Sequence, residues 1–230
     1  MPYRKPPAEL RRLEAARDRL VTCATAVVAE VGWARASVNA VADAAGISAG
    51  SVYQHFASKA ELSVEVFRRA AGHEVEVLGE VLRGPGDPVE RLGRGVEVFA
   101  RRALENPGLA YALLAAPAEP AVGAERLAYR LRYRALFAEV MEEGMAKGLL
   151  PEQDGAITAA ALTGAVGEVL VDPLDPLGGG RGHASASASA PSSAPALGAG
   201  PGAGTRDAEA LLAELIAMAL RCAGARQYSG

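Results

Sequence analysis

The stretch that most constrains the fold is residues 42–62, ADAAGISAGSVYQHFASKAEL. Ser37, just upstream, fits the N-cap of a short helix, and Gly46 permits the positive φ of a tight turn where that helix ends. Ile47 is expected to return to the core, and Ser48 fits the N-cap of another helix of about two turns. Two short helices joined by a tight glycine turn predict a helix-turn-helix.

Helical periodicity runs through the rest of the chain. Residues 8–31 repeat apolar side chains at three-, four- and seven-residue steps, with arginine and glutamate on the other side. The sequence SKAE at 58–61 is a capping box, which predicts a long helix from there to Leu82. Proline and glycine separate further helical segments at 88–105, 109–115, 122–147, 154–171 and 206–223. No strand pattern appears, so we predict an all-α chain of about nine helices.

Composition divides the chain into four parts. We predict an N-terminal arm and a three-helix helix-turn-helix domain at 1–62, followed by a larger helical domain at 63–172. The Gly-, Ala-, Ser- and Pro-rich run at 173–205 predicts a flexible insertion, and 206–230 predicts a last helix and a tail. Residues 1–60 hold eight Lys and Arg against five acids, in a chain of net charge −3. A basic end on an acidic body is typical of a protein whose smaller end binds a polyanion.

Composition also narrows the class of function. Cys23 and Cys222 lie near opposite ends of the chain, which indicates neither a disulfide framework nor a metal site and predicts a reducing cytoplasm. The sequence shows no apolar segment typical of a signal peptide and no membrane span. It also shows no phosphate-binding glycine loop beside a strand and no metal-spaced cluster of His, Cys and Asp. We therefore expect no catalytic activity, no metal and no other cofactor.

The predicted third helix has a polar face set among small residues. On a helical wheel, Gln54 lies opposite the apolar face, with Ser51 beside it. Small neighbours let the helix backbone approach the floor of a DNA major groove, where Gln54 can pair with base edges and Ser51 can contact bases or backbone. Tyr53, His55 and Lys59 are placed to hold phosphates on the groove walls. The alternative is that Tyr53 is a half-buried core residue and that His55 and Lys59 are only solvated.

The sequence SVNAVADAAGISAGSVYQHFASKAEL, followed by a long helix, resembles the N-terminal domain of the TetR family of transcriptional regulators over residues 11–65. The matching elements are Val41-Ala42, Ala45-Gly46, Ser48, Gly50, Tyr53, Phe56, Ser58-Lys59 and Leu62. Early in the third helix, where the family often has a basic residue or threonine, this chain has small residues, which leaves the operator sequence open. Carried over residue by residue, the resemblance implies DNA contacts from Ser37, Ser48, Ala49, Ser51, Tyr53, Gln54, His55 and Lys59.

The resemblance also implies a role for the rest of the chain. The body is expected to be a regulatory domain that dimerises and binds a small-molecule effector, so the partners are double-stranded DNA, a second copy and that effector, with no membrane. Two reading helices about 34–36 Å apart match the half-sites of a palindromic operator. An effector that prefers another spacing lowers DNA affinity, so repression released by ligand is the expected outcome. The alternatives are a helical protein–protein adaptor and a DNA-binding regulator without an effector.

The dimer interface is predicted from two helical segments, 154–171 and 206–223. Ala160, Gly164 and Gly167 allow close helix approach, and two such helices from each subunit form a four-helix interface. The predicted apolar contacts are Leu162, Val166, Leu212, Leu215, Ile216 and Leu220. The alternative is that both segments are ordinary core helices of a monomer.

A mostly apolar cavity between helices is predicted to hold the effector. His73 continues the spacing of Leu62 and Val66, so it is expected to point inward from the long fourth helix. The predicted lining residues are His73, Phe99, Tyr111, Leu114, Tyr129, Tyr133, Phe137 and Met141. Each of these could instead be plain core. Arg130 and Arg134 could meet an acidic ligand or form a solvated face.

Overall fold

A computed structural model describes residues 6–175 and 203–225. These residues form nine α-helices and contain no strand, which confirms the predicted all-α fold with an N-terminal helix-turn-helix and a larger helical body. Residues 1–5 of the predicted arm, 176–202 of the predicted insertion and 226–230 of the predicted tail lie outside the described residues.

The predicted helices agree closely with those of the structure. Gly32, with φ +73°, breaks the first helix after the predicted 8–31 segment, and one more turn follows it. The structure extends helix through residues 173 and 174 and again from 203, so both ends of the predicted insertion are helical. The helices are α1 (Pro7–Arg35), α2 (Val38–Ala45), α3 (Ala49–Tyr53), α4 (Lys59–Leu82), α5 (Pro88–Glu105), α6 (Pro107–Leu114), α7 (Pro120–Ala146), α8 (Gly155–Leu174) and α9 (Ala203–Cys222).

Side-chain caps set the starts of the two short helices. The Ser37 hydroxyl accepts a hydrogen bond from the amide three residues on, at 3.1 Å. The Ser48 hydroxyl accepts one from the Ser51 amide, also at 3.1 Å. Gly46 has φ +67°, as the tight turn requires. Helix α3 has only five residues, so it is shorter than the two turns predicted.

Two local expectations near the turn need correction. Ile47 does not return to the core: it is 39% exposed, whereas Val41, Ala42 and Val52 on either side of it in the sequence are buried. The capping box at the start of α4 is split. The Ser58 hydroxyl accepts from the Glu61 amide at 3.1 Å, but the Glu61 carboxylate accepts from the Ala57 amide instead of the Ser58 amide.

Two hydrophobic clusters form the core. The N-terminal cluster joins buried side chains of α1 to α4 with Ala112 and Ala116, near the end of α6, and with Val122 and Tyr129 of α7. The C-terminal cluster joins buried side chains of α5, α8 and α9 with the second halves of α4 and α7. Helices α4 and α7 therefore contribute to both clusters and join the head, which we define as α1 to α3, to the body.

The buried face of α4 changes along its length. Leu62 and Val66 are buried in the N-terminal cluster, whereas Leu78 and Leu82 are buried in the C-terminal cluster. Because the packing partners change from the head to α5 and α7, the buried face turns around the helix. His73 lies at the crossover and is exposed. The expectation that His73 points inward is therefore wrong.

Helix α6 packs directly on α1. Gly108 lies so close to the backbone of Ala29 that a β-carbon at position 108 would stand 2.0 Å from the Ala29 carbonyl oxygen. Nearby, the Trp33 indole N–H donates to the Ala112 carbonyl oxygen at 2.8 Å in a buried hydrogen bond. A shift of α6 must therefore also move α1.

The inner faces of α8 and α9 belong to the C-terminal cluster. The residues predicted at a dimer interface pack inside their own chain, five of them buried and Ile216 partly buried: Leu162, Val166, Leu212, Leu215, Ile216 and Leu220. Their side chains are not available to a second copy. The apolar periodicity of these two helices therefore indicated the face that packs in the core and not a dimer interface. The outward face of α8 carries Ile157, which is 68% exposed, together with Ala161 and Gly164.

Candidate nucleic-acid interface and effector cavity

Helix α3 presents a small polar face to solvent. Val52 is 1% exposed and fixes the inner side of the helix, whereas Tyr53 is 54% exposed. The Ser48 and Ser51 hydroxyl oxygens are 2.9 Å apart and share one hydrogen bond. Of the predicted DNA contacts, four are exposed and four are partly exposed: Ser37, Ser48, Tyr53 and Gln54, then Ala49, Ser51, His55 and Lys59.

Gly50 is exposed on the same face, and packing within the chain does not require a glycine there. A β-carbon at this position would meet only the Ser48 hydroxyl oxygen, at an ordinary contact distance of 3.7 Å. The missing side chain leaves a gap beside Tyr53 through which another molecule can reach the main chain of α3. Small residues at this position therefore suit a surface that is pressed closely against a large partner.

Lys59 is held by other parts of the protein. Its Nζ donates to the Trp33 carbonyl oxygen at 3.1 Å and lies 3.4 Å from Glu119 Oε1, in the connection between α6 and α7. The other carboxylate oxygen of Glu119 is buried and has no hydrogen-bond partner in the described part of the chain. In this conformation Lys59 links the head to the body and is not free to hold a phosphate, contrary to its predicted role.

Arg17 of α1 clamps the segment that follows α3. Its guanidinium donates to the His55 carbonyl oxygen at 2.9 Å and lies 4.2 Å over the centre of the Phe56 ring. It also pairs with Glu65 at 3.4 Å. An arginine on the polar side of a helix gives the same sequence signal whether it is paired or solvated, so this positioning role could not be read from the sequence.

A cavity of about 100 Å³ lies between α4, α5, α6, α7 and α8. Five of the predicted residues line it: Phe99, Leu114, Tyr129, Tyr133 and Phe137. Three do not, since His73 is exposed, Met141 is fully buried in the C-terminal cluster and Tyr111 packs against both clusters. Ligand pockets usually measure about 300–1,000 Å³, so a ligand of ordinary size requires the helices to move apart.

The polar groups deep in the cavity are neutral or paired with each other. Arg102 donates to both carboxylate oxygens of Glu74, at 2.7 and 2.8 Å. The hydrogen bond that Arg102 donates to Glu74 raises the pKa of Arg102, so its guanidinium stays charged and engaged. Burial raises the pKa of Tyr133, which keeps its hydroxyl protonated. The inner cavity therefore offers apolar walls and no unpaired charge.

Two arginines of α7, Arg126 and Arg130, stand where the cavity opens, and we call them the neck. Both line the cavity and also a neighbouring open cleft of about 350 Å³. Leu114 and Gly167 are likewise shared by the two spaces, so the cleft is the outer part of the same opening. Arg130 was one of the residues left open at the sequence level, whereas Arg126 was missed.

Arg126 caps the C-terminal end of α6. Its guanidinium donates to three main-chain carbonyl oxygens at 2.8 to 3.0 Å, those of Ala112, Leu113 and Ala116. Burial lowers the pKa of Arg126, and the nearby charge of Arg130 lowers it further. The end of α6 therefore depends on a cation that also faces the cavity.

A metal site needs clustered ligand side chains, and a membrane span needs a long apolar helix. Within residues 6–175 and 203–225, no group of three or more His, Cys, Asp or Glu could hold a metal ion. Among the described helices, α8 alone is long and apolar enough to cross a membrane by length and composition. Core helices of soluble proteins pass the same test, and the inner face of α8 is buried in the C-terminal cluster.

Comparison with known families matches two parts of the chain. Residues 20–66 match the family model of bacterial regulatory proteins, tetR family, and residues 85–170 match the tetracyclin repressor-like C-terminal domain. The first match contains α2, α3 and the start of α4. The second contains α5 to α7 with the neck and most of α8. Together they cover more than half of the chain.

Individual relatives point the same way. The HTH-type transcriptional activator FasR of Mycolicibacterium smegmatis is 36% identical over 83 residues, which are 36% of this chain and only 38% of FasR. The HTH-type transcriptional repressor KstR2 of Mycobacterium tuberculosis is 28% identical over 136 residues, 57% of this chain and 68% of KstR2. The crystal structure of FadR from Bacillus subtilis in complex with stearoyl-CoA shares the fold, with a TM-score of 0.60 and 18% identity over 66% of this chain and 84% of FadR.

Proposed function

Because this chain belongs to the TetR family of DNA-binding transcriptional regulators, we propose that it is a ligand-responsive homodimeric repressor of a palindromic operator. The observation that carries this proposal is the exposed face of α3, where Tyr53 and Gln54 project beside the open position of Gly50. The family consists of regulators and not of enzymes. Its bacterial members work on DNA, so the site of action is the cytoplasm.

A DNA-binding measurement tests the reading face. The double variant Tyr53→Ala/Gln54→Ala is expected to lose about tenfold or more in affinity, because the base contact predicted for Gln54 contributes about 1–3 kcal/mol and the phosphate contact predicted for Tyr53 is lost with it. The probe is the DNA that flanks the coding region of the protein, followed by fluorescence anisotropy across a salt series. Wild-type binding should weaken steeply as salt rises.

The matched control is Glu142→Ala, an exposed position on α7 far along the chain from α3. It should bind DNA as the wild type does. If the double variant retained wild-type affinity with an unchanged helical circular dichroism spectrum, the face of α3 would not read DNA. A wild type without preference over random DNA would favour the adaptor alternative.

We infer that a second copy packs on the outward face of α8. Ile157 is 68% exposed, and Gly164 has open space where a β-carbon would stand, so another helix can approach closely. Ile157→Asp is expected to shift the protein from dimer to monomer in analytical ultracentrifugation and to weaken operator binding. Glu152→Ala, exposed just before the same helix, is the control. A dimer unchanged by Ile157→Asp would place the interface elsewhere.

We further propose an effector with a long apolar part. The aromatic walls of the cavity suit such a ligand, and the Bacillus subtilis FadR complex makes stearoyl-CoA and other long-chain acyl thioesters the first class to test. The relatives include an activator and a repressor, so a reporter gene placed behind the bound operator gives the sign of the transcriptional effect.

Glu119 is expected to weaken DNA binding by holding Lys59. In Glu119→Gln the charge that attracts Lys59 is removed, so Lys59 can reach a phosphate. We expect operator affinity to rise by about two- to fivefold, with a slope of log affinity against log salt that is steeper by about 0.9, the value for one added phosphate contact. The same anisotropy titration measures both quantities.

A double-mutant cycle separates this role from a general change in the protein. Lys59→Gln alone should change the affinity little, because Glu119 already holds Lys59 away from DNA, and Glu119→Gln should have no effect in the Lys59→Gln background. An equal rise in both backgrounds would mean that Glu119 acts through something other than Lys59.

A further inference from the structure

Among the described residues, neither guanidinium group of the neck has a carboxylate partner. All three acceptors of Arg126 are main-chain carbonyl oxygens. Arg130 has no hydrogen bond or ion pair with any described residue. Glu168 lines the outer cleft but forms no salt bridge with either arginine. The deeper arginine, Arg102, is in contrast fully engaged by Glu74.

The electrostatics of the neck favour a bound anion. Arg126 is partly removed from water and faces a second cation, and both effects disfavour its charged form. An anion placed between Arg126 and Arg130 relieves the repulsion and gains charge-assisted hydrogen bonds. No comparable position exists among the described residues deeper in the cavity, where the walls are apolar and the one arginine is paired.

We propose that Arg126 and Arg130 bind the anionic group of an amphiphilic effector whose apolar part fills the aromatic cavity, and that they select such ligands over neutral ones. This inference rests on the proposed effector function of the same cavity. A carboxylate of a free acid and a phosphate of an acyl thioester share the required chemistry. In either case the charged end stays at the neck and the chain points toward Phe67 and Phe99.

Binding at the neck would act on the end of α6. The carbonyl oxygens that cap α6 take hydrogen bonds from Nε and Nη2 of Arg126, so an anion that draws this guanidinium toward Arg130 weakens the cap. One of these, the Ala112 oxygen, also accepts the Trp33 indole N–H from α1. The loss of the Arg126 cap therefore changes the surroundings of Trp33, which is the single tryptophan of the chain and hence an intrinsic fluorescent reporter.

The test compares three ligands with the same twelve-carbon chain: laurate, lauroyl-CoA and neutral methyl laurate. Dissociation constants are measured by calorimetry on full-length wild type, Arg126→Gln, Arg130→Gln and Arg134→Gln, with Trp33 fluorescence as a second readout. Arg130→Gln keeps the proposal testable if Arg126→Gln does not fold, because Arg130 makes no contact that the fold needs. Arg134→Gln is the matched control, since Arg134 is exposed one turn along α7 and lines neither space.

We expect at least one of the two anionic ligands to bind the wild type about tenfold or more tightly than methyl laurate does. Arg126→Gln and Arg130→Gln should each lose about tenfold in affinity for that ligand, and Arg134→Gln less than about twofold. If laurate binds more tightly than lauroyl-CoA, the group bound at the neck is a carboxylate. If lauroyl-CoA binds more tightly, that group is a phosphate. Equal affinity for methyl laurate, unchanged binding by both neck variants, or no binding of any of the three would overturn the proposal.

A parallel operator titration distinguishes two negative results: that the neck does not bind the anionic group, and that the protein does not respond to an effector. Acyl ligands that release DNA equally well from the wild type and from both neck variants would remove the anion-binding role and leave the effector function intact. Acyl ligands that bind without changing operator affinity would instead remove the effector function.

Discussion

Replacing Gly108 with alanine should lower the melting temperature by about 6–12 °C. The new β-carbon would stand 2.0 Å from the Ala29 carbonyl oxygen, and a main-chain atom cannot rotate away as a side chain can. Helices α1 and α6 must separate to admit it, at a cost of about 3 kcal/mol, the upper part of the range for overpacked sites. In a chain of this size each kcal/mol corresponds to about 2–4 °C, and calorimetry or thermal circular dichroism measures the shift.

Gly123→Ala is the matched control for this variant. A β-carbon at position 123, near the start of α7, has no neighbour within 4 Å. The same chemical change should therefore be neutral or stabilise by up to about 1 kcal/mol, because alanine favours the helix and restricts the unfolded chain. If Gly108→Ala and Gly123→Ala had the same melting temperature, the contact between α6 and α1 would not be tight.

Removal of Arg91 should cost about 3 kcal/mol of folding free energy. Arg91 is 6% exposed, donates to the Leu82 carbonyl oxygen at 3.0 Å and pairs with Glu143. In Arg91→Ala the buried carbonyl at the end of α4 loses its partner and the space of the side chain is left unfilled. Urea unfolding at neutral pH gives the change in free energy.

Arg83→Ala provides the contrast at the surface. Arg83 also crosses to α7 and binds both carboxylate oxygens of Glu139, at 2.8 and 2.9 Å, but both side chains are more than half exposed. Its removal should change stability by less than about 1 kcal/mol. Equal losses from the two variants would mean that burial does not decide the strength of these pairs.

The contribution of Arg91 to the folding free energy should also depend on pH. The hydrogen bond from Arg91 lowers the pKa of Glu143, with a further contribution from Lys147. A carboxyl group with a lowered folded pKa contributes stability above its unfolded pKa of about 4.5, and that contribution is lost as the pH falls through the folded value. The difference between wild type and Arg91→Ala should therefore shrink in acid.

The helix-turn-helix could be predicted because its determinants are local. Ser37, Gly46 and Ser48 act within three residues of themselves, by capping an amide or by adopting a positive φ. Neither effect depends on which distant helix packs nearby. Ile47 shows the limit: an apolar residue beside a turn was expected in the core, and its side chain is 39% exposed.

The cavity and the dimer face depend on packing partners that periodicity does not specify. The buried side of α4 turns when its partners change, which put His73 on the wrong side. Both sides of α8 carry small or apolar residues, so the pattern could not show that Leu162 and Val166 face inward and Ile157 outward. The pairing of Lys59 with Glu119 joins residues far apart in sequence, and neither residue alone indicates it.

The sharing of α4 and α7 between the two clusters limits how this protein can be recombined with others. A chimera cut after residue 62 would separate Val66 and Phe67 from the core residues they pack on, and would leave the α6 and α7 side chains of the N-terminal cluster without their partners. To give the effector response of this chain a new DNA target, the exchange should replace only the exposed residues of α3. The predicted DNA-contacting residues can therefore be substituted within the intact protein, whereas the head cannot be transferred as an independent domain.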